Sequence, residues 1–425
     1  MRIGNELVSR TLAYGLPRIL PAFASVLAVA LFVRAMGESA YSALAVSYAA
    51  ANAISALCSA WLAQAMLRYF PGRPQRERNA YRAFKIGTLA SMGLAATAVP
   101  GLLLLIAHSV SNVPTAFMAA MLSAIMVWQT VLLARVMLHG STKAYLVSEI
   151  TRSTLLILLA YTGYRFNWLT PTTSLAVYAA SYLGSILALL SISKNTTAIA
   201  DNKSIPLPPA TRQWLARMAR FGYPLSIWMG VMVAQPLVDR ALLLHIAGTS
   251  EAGRYAAVYD IYFRVASFLF APVLMTLHPT IMRDANTGQF ATALRRIKAA
   301  VVIAVAAGPI VGISLALCAP LTAALLGLRI KPGDELLAFL LALGGWLWQC
   351  GLLTQKVLEI RRQTMTLAAC MLIAVSLQAL LVTVLAAEYG ALGAAAATGM
   401  AAAFYSTTVW IKGSRTVGKF REITA

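Results

Sequence analysis

Asp239 and Arg240 stand side by side in the stretch QPLVDRALLLH, residues 235–245, inside a long apolar run. Further along, Asp260 and Arg264 lie four residues apart. Glu149 and Arg152 lie three apart in another apolar run, and Arg18 sits near the start of the first. At spacings of three or four, opposite charges share a helix face and can pair. Apolar surroundings make each charge costly, so such groups face a partner or a polar cavity. A guanidinium held there stays charged and offers an anion a planar fork of donors. A carboxylate held there can pair with that guanidinium or take up a proton. Desolvation favours its neutral form and a neighbouring Arg its charged form.

Nothing else in the chain suggests covalent or metal chemistry. The sequence has no G-x-x-x-x-G-K-[ST] loop, H-E-x-x-H or C-x-x-C pattern. His108, His139, His245 and His278 are far apart and near the ends of apolar runs, where interfacial placement is expected. Cys58, Cys318, Cys350 and Cys370 fall in apolar runs without ligand spacing and read as small buried hydrophobes. No cofactor or metal is implied.

The elements that must carry these charges follow from composition. Of 425 residues, 60% are hydrophobic and 12% charged. A soluble domain is nearer about half and about a quarter. This is the composition of a membrane protein. The net charge of +21 does not indicate nucleic acid, because Lys and Arg occur in short clusters between apolar runs. A span needs about 20 mostly apolar residues. Twelve such runs are expected near 13–36, 41–66, 84–107, 114–136, 145–164, 172–193, 220–246, 252–281, 299–321, 336–358, 364–387 and 390–411. They must be helices, because non-alternating strands would leave backbone groups unpaired in lipid. The first run is too long for a signal core and is expected to remain in the mature protein.

The Lys/Arg bias sets the orientation. With the N-terminus cytoplasmic, 26 of 35 basic residues fall on that side and five on the other, with Arg18, Arg152, Arg240 and Arg264 inside spans. Both termini are therefore expected in the cytoplasm. The longest connection, 194–219, is rich in Pro, Asn and Ser and divides the chain into an N-terminal lobe, 1–193, and a C-terminal lobe, 220–425. The other side has only short loops, with no room for a catalytic domain.

The two lobes repeat. YGLP at 14–17 answers FGYP at 221–224. Gly37, Ser39 and Tyr48 answer Gly248, Ser250 and Tyr259, and Pro71 answers Pro279. With six helices each, both lobes keep one orientation about an axis along the membrane normal.

YGLP at the entry into the first span, RYFP at the end of the second, and LVDRALLLHIAGTSEAGRYAAVY across spans seven and eight carry a resemblance. With the six-plus-six layout, the chain resembles the multidrug/oligosaccharidyl-lipid/polysaccharide superfamily, and most of all its Wzx-type polysaccharide-unit (O-antigen) flippases. The resemblance implies an all-α polytopic protein of the bacterial inner membrane, with twelve helices in a MATE-like fold. It implies no enzyme, but translocation of an undecaprenyl-diphosphate-linked oligosaccharide for surface polysaccharide synthesis. A multidrug/cation antiporter of the same superfamily is the alternative. Four in-span Arg against three in-span acids favour an anionic substrate over a cation.

In the superfamily, spans one, two, seven and eight line a central cavity. The resemblance therefore puts Arg18, Arg240 and Arg264 there, where they would offset a diphosphate. Arg240 would serve the outward step and Arg18 the inner leaflet. Asp239 would hold Arg240 or Arg264 or carry a coupling proton, and Asp260 would pair with Arg264. Trp61 and Gln64, one turn apart on span two, would touch sugar or simply pack. Glu149, Arg152 and Arg34 read more simply as a structural pair and an interfacial anchor. The implied partners are the polyprenyl-diphosphate-linked oligosaccharide, membrane lipid, a polysaccharide polymerase and a chain-length regulator, with no nucleic acid.

Overall fold

A chain whose backbone meets lipid must satisfy every amide within its own segment, and helices do so. The computed structural model describes residues 2–69, 78–106, 112–138, 141–192, 209–361 and 363–424. The side chains of 2–19, 78, 79, 137, 138, 142, 209, 271, 272, 275, 279, 286 and 414–424 lie outside that description. Among the described residues there is no strand. The helices are α1 (Arg2–Tyr69), α2 (Arg78–Ile106), α3 (Val113–Leu138), α4 (Thr142–Arg165), α5 (Pro171–Ile192) and α6 (Pro209–Asn286). They continue as α7 (Phe290–Ala316), α8 (Ala319–Leu326), α9 (Asp334–Thr354), α10 (Lys356–Ile360) and α11 (Thr364–Thr424).

Among the described residues, nine helices are long and apolar enough to cross a membrane. Three of them exceed what one crossing can use. The shortest, α11, has 61 residues, or about 90 Å at 1.5 Å per residue, against roughly 30 Å of hydrocarbon. Each of the three breaks at one glycine: Gly37 (φ 75°, ψ 172°), Gly248 (φ 83°, ψ 177°) and Gly390 (φ 54°, ψ −130°). The conformations at Gly37 and Gly248 are essentially open to glycine alone. Those two glycines are matching positions of the sequence repeat, and their dihedrals nearly coincide. The run expected at 299–321 is divided between α7 and α8 by a turn at Leu317–Cys318. Pro320, which has no amide hydrogen, sits where α8 begins.

The chain packs as two compact units. One is Met1–Ser42 with Val238–Ala425 and the other is Ala43–Leu237. The lobes expected at 1–193 and 220–425 divide the chain by repeat rather than by packing. Residues 194–208 of the connection between them lie outside the described residues. In the first unit α9 packs against both α7 and α11. In the second, α3 packs against α2 and α5, and α5 against α4. The faces follow the logic of a lipid solvent. On α7 the small residues Ala293, Ala304, Gly308 and Gly312 are buried, while Val302, Ile303, Ile310 and Ile313 are exposed. Small residues let backbones approach, and large apolar ones lose nothing by facing acyl chains.

Candidate functional site

Asp239 and Arg240 are adjacent on α6, so their side chains leave the helix about 100° apart. They reach different networks, both within the unit of Met1–Ser42 and Val238–Ala425. The Asp239 carboxylate is fully buried, at 0% exposure. One oxygen accepts from Gln378 Nε2 at 2.6 Å. The other accepts from Tyr255 Oη at 2.9 Å and Thr398 Oγ1 at 2.7 Å. All three donors are neutral. Tyr255 lies 16 residues beyond Asp239, about 24 Å away on a straight helix. The contact exists because the chain reverses at Gly248, which lies between them.

Arg240 is 2% exposed. Its Nη2 donates to Asp260 Oδ1 at 2.7 Å, and its guanidinium lies 5.4 Å from the Tyr259 ring centre. Asp260 also accepts from Tyr41 Oη at 2.9 Å and meets Arg264 Nη2 at 3.5 Å. The Asp260–Arg264 pair expected from spacing is thus present, but the nearer cation is Arg240. Arg264 is the most exposed of the four charged residues, its side chain 28% accessible. Tyr255, Tyr259 and Phe263, spaced by four, form a ladder in which Tyr255 meets Tyr259 at a tilt, ring centres 5.8 Å apart, and Tyr259 stacks on Phe263 at 4.8 Å. This ladder stands between the Asp239 and Asp260 networks. Two guanidinium groups therefore converge on one carboxylate, and a second carboxylate sits apart among neutral donors.

A third cluster lies beside the Gly37 and Gly248 breaks in the same unit. Arg254 donates to Glu38 at 2.9 Å, to the Arg329 carbonyl at 2.9 Å, and to Asp334. Ser250 donates to Glu38 at 2.9 Å, and Ser39 to Thr249 at 2.8 Å. Asp334 also accepts from the Lys331 amide at 2.8 Å. Arg254 is only 3% exposed. Gly253 permits this proximity, because a Cβ there would run into the Glu38 carbonyl. Arg34 donates to the carbonyl of Ala324 in the last turn of α8 at 2.6 Å.

In the other unit, Trp61 Nε1 donates to Ser91 at 3.3 Å, and its ring packs on the core of Leu62, Met66 and Phe84. Gln64 is half-buried, one turn further along. Glu149 and Arg152 form an ion pair at 2.7 Å. They lie nearer the middle of α4 than its start, deeper than the run at 145–164 suggested. Arg152 also covers the Tyr182 ring at 5.2 Å. One turn away, Ser148, Ser185 and Gln129 form a buried hydrogen-bonded chain. Arg18 lies on α1, but its side chain is outside the described residues.

Sequence reasoning missed Gln378, Thr398, Tyr41, Tyr255, Glu38, Arg254 and Asp334. Gln378 and Thr398 had a weak signal as polar residues within the apolar runs of α11. Arg254 had none, because it reads as an ordinary charge at a helix end.

No protein-family model matches the chain, and no curated protein matches its sequence. Solved structures do. The chain is similar to a multidrug resistance MATE family transporter of the MOP superfamily in its inward-facing conformation. That likeness has 14% identity over 97% of this chain and 100% of that one, with a TM-score of 0.69. An outward-facing MATE transporter of the same superfamily gives 15% identity over 97% of this chain and 96% of that one, with a TM-score of 0.55. The lipid II flippase MurJ, inward closed, gives 14% identity over 95% of this chain and 87% of that one, with a TM-score of 0.60. These likenesses span nearly the whole chain and show its fold, the one shared by MATE transporters and MurJ.

Proposed function

We propose that the chain is a flippase that carries a polyprenyl-diphosphate-linked oligosaccharide across the bacterial inner membrane, for surface polysaccharide or O-antigen synthesis. Among the described residues, counting the segments on either side of each glycine break as separate crossings supports the expected twelve, and the Lys/Arg bias supports cytoplasmic termini. The observation that carries the reading is the convergence of Arg240 and Arg264 on the single carboxylate of Asp260. Both guanidinium groups share the Asp260 carboxylate, and Arg264 is the more accessible of the two. A diphosphate entering there replaces part of its lost hydration with a charged, bidentate donor. Arg240, buried on Asp260, acts as a positioning residue that holds the carboxylate in place. Arg18 stays the proposed inner-leaflet contact, and Trp61 and Gln64 the proposed sugar contacts.

A second reading rests on Asp239. A buried carboxylate held only by neutral donors is where a proton would reside in a coupled transporter, and a multidrug/cation antiporter needs such a site too. Deletion of the gene separates the readings. A flippase leaves lipid-linked repeat units on the cytoplasmic leaflet, whereas an antiporter leaves polysaccharide intact and raises sensitivity to cationic drugs.

Alternating access requires the outer end to open. Glu38 belongs to the first sequence half, and Arg254 and Asp334 to the second. Their cluster therefore acts as a latch that has to part. Arg254→Gln removes the shared cation and leaves two facing carboxylates. Hydrogen exchange of the full chain in detergent should then rise clearly in peptides covering 34–42 and 248–254, with the rest of α6 unchanged. Unaltered exchange in both peptides would contradict the latch.

A further inference from the structure

At one end of the second unit, two arginines lie against aromatic rings in a single group. Arg68, in the last turn of α1, has its guanidinium 4.1 Å from the Phe221 ring centre and 5.8 Å from that of Tyr69. Arg217, near the start of α6, lies 5.0 Å from the Trp214 ring centre. The Tyr69 ring joins the two halves, with centres 6.2 Å from Trp214 and 5.7 Å from Phe221. Both arginines are exposed, while the aromatic side chains are anchored on the core that buries Leu62, Met66 and Met218.

The electrostatics are one-sided. The unit Ala43–Leu237 contains 15 Lys and Arg but only three acids: Glu77, Glu149 and Asp201. Glu149 is engaged by Arg152, and Glu77 and Asp201 lie outside the described residues. Among the described residues, no carboxylate opposes Arg68 or Arg217. A guanidinium stacked on a ring has one face covered and its rotamers restricted, while its in-plane N–H donors keep the fork that fits phosphate. Trp and Tyr favour the level of lipid headgroups. The Lys/Arg bias assigns this end to the cytoplasmic leaflet.

We infer that Arg68 and Arg217, on their floor of Tyr69, Trp214 and Phe221, bind the diphosphate of a prenyl-diphosphate lipid in the cytoplasmic leaflet. The site captures the lipid before it reaches the transport path. The choice of a prenyl diphosphate over other phosphate-bearing lipids rests on the flippase reading. The aromatic floor meets the first isoprene units and the two guanidinium groups clasp the phosphates. An inorganic phosphate lacks the apolar half of this contact, and a prenyl alcohol lacks the charged half.

Native mass spectrometry of the full chain tests this, with geranylgeranyl diphosphate as probe and geranylgeraniol, inorganic pyrophosphate and phosphatidylglycerol as comparisons. Wild-type protein should retain the prenyl diphosphate in preference to all three. Arg68→Gln with Arg217→Gln should weaken that binding by about tenfold or more, and Arg68→Lys with Arg217→Lys by less, because lysine keeps charge but loses the stacked fork. The lysine pair also provides a folded reference should the glutamine pair express poorly. Equal binding by wild type and both variants overturns the proposal. So does equal binding of geranylgeraniol, or full displacement by equimolar phosphatidylglycerol, which would mark an ordinary phospholipid site. The assay needs no transport. Failure here with intact accumulation of repeat units in the deletion strain refutes the capture site alone, and the reverse pattern refutes the flippase reading alone.

Discussion

Asp260→Asn is expected to lower the amount of folded protein in the membrane more than any other single change in the charged network. Asn keeps the size of the side chain and an acceptor for Tyr41 but removes the charge. Arg240, 2% exposed, then lies buried beside an uncharged amide. Arg264, which meets the same carboxylate at 3.5 Å, loses the charge of that contact as well. Breaking a buried pair from one side costs about 3–5 kcal/mol, whereas replacing both members with apolar groups of similar volume is often near neutral. Asp260→Leu with Arg240→Leu should therefore recover most of the protein level and thermal stability without recovering export. The exchange Asp260→Arg with Arg264→Asp should recover less, because it leaves Arg240 facing a second cation. A stability loss in Asp260→Asn no larger than that of an exposed substitution would show that the convergence contributes little to the fold.

Asp239→Asn should behave in the opposite way, with little loss of protein and a large loss of driven transport. The amide can keep its oxygen toward Gln378 Nε2, and the hydroxyls of Tyr255 and Thr398 can turn to accept from its nitrogen. The pocket is thus preserved while the titratable group is removed. If Asp239 carries the coupling proton, transport driven by a proton gradient in proteoliposomes falls to background, while exchange between equal substrate pools persists. If Asp239 is only structural, both modes fall together with protein stability. Wild-type driven transport in a stable Asn variant would remove the residue from the coupling mechanism.

How much of this could be read from sequence depends on distance along the chain. The apolar runs stood out because lipid imposes a composition that no loop imitates. Asp260 and Arg264 stood out because a four-residue spacing is a local property of any helix. The nearer partner of Asp260 did not, because Arg240 comes within reach only after the chain reverses at Gly248. The repeat had marked Gly248 and Gly37 as equivalent, yet sequence does not say that both adopt the same glycine-only conformation. Gln378 and Thr398 are still harder cases, since Gln378 lies 139 residues from the carboxylate it serves and Thr398 159. Each looks like an isolated polar residue tolerated in a span. Arg254 was counted as one of the few basic residues outside the cytoplasmic segments, and its three acceptors come from Glu38, Arg329 and Asp334. For Arg240 the sequence reading proposed a residue facing the anion. The geometry favours Arg264 for that role, because it is the more accessible member of the same network.

On the proposed function, the chain moves a lipid-linked anion from the cytoplasmic leaflet, with Arg264 meeting its phosphates. The most direct measurement is the leaflet distribution of lipid-linked repeat units in cells depleted of the chain and complemented with wild type or Arg264→Gln. Accessibility to an impermeant glycan-modifying enzyme, added to right-side-out and to inverted vesicles, reads that distribution. The units should accumulate on the cytoplasmic face on depletion. Wild type should return them to the outer face, and Arg264→Gln at equal membrane level should not. Units that reach the outer face normally in depleted cells, or in cells carrying only Arg264→Gln, would contradict it.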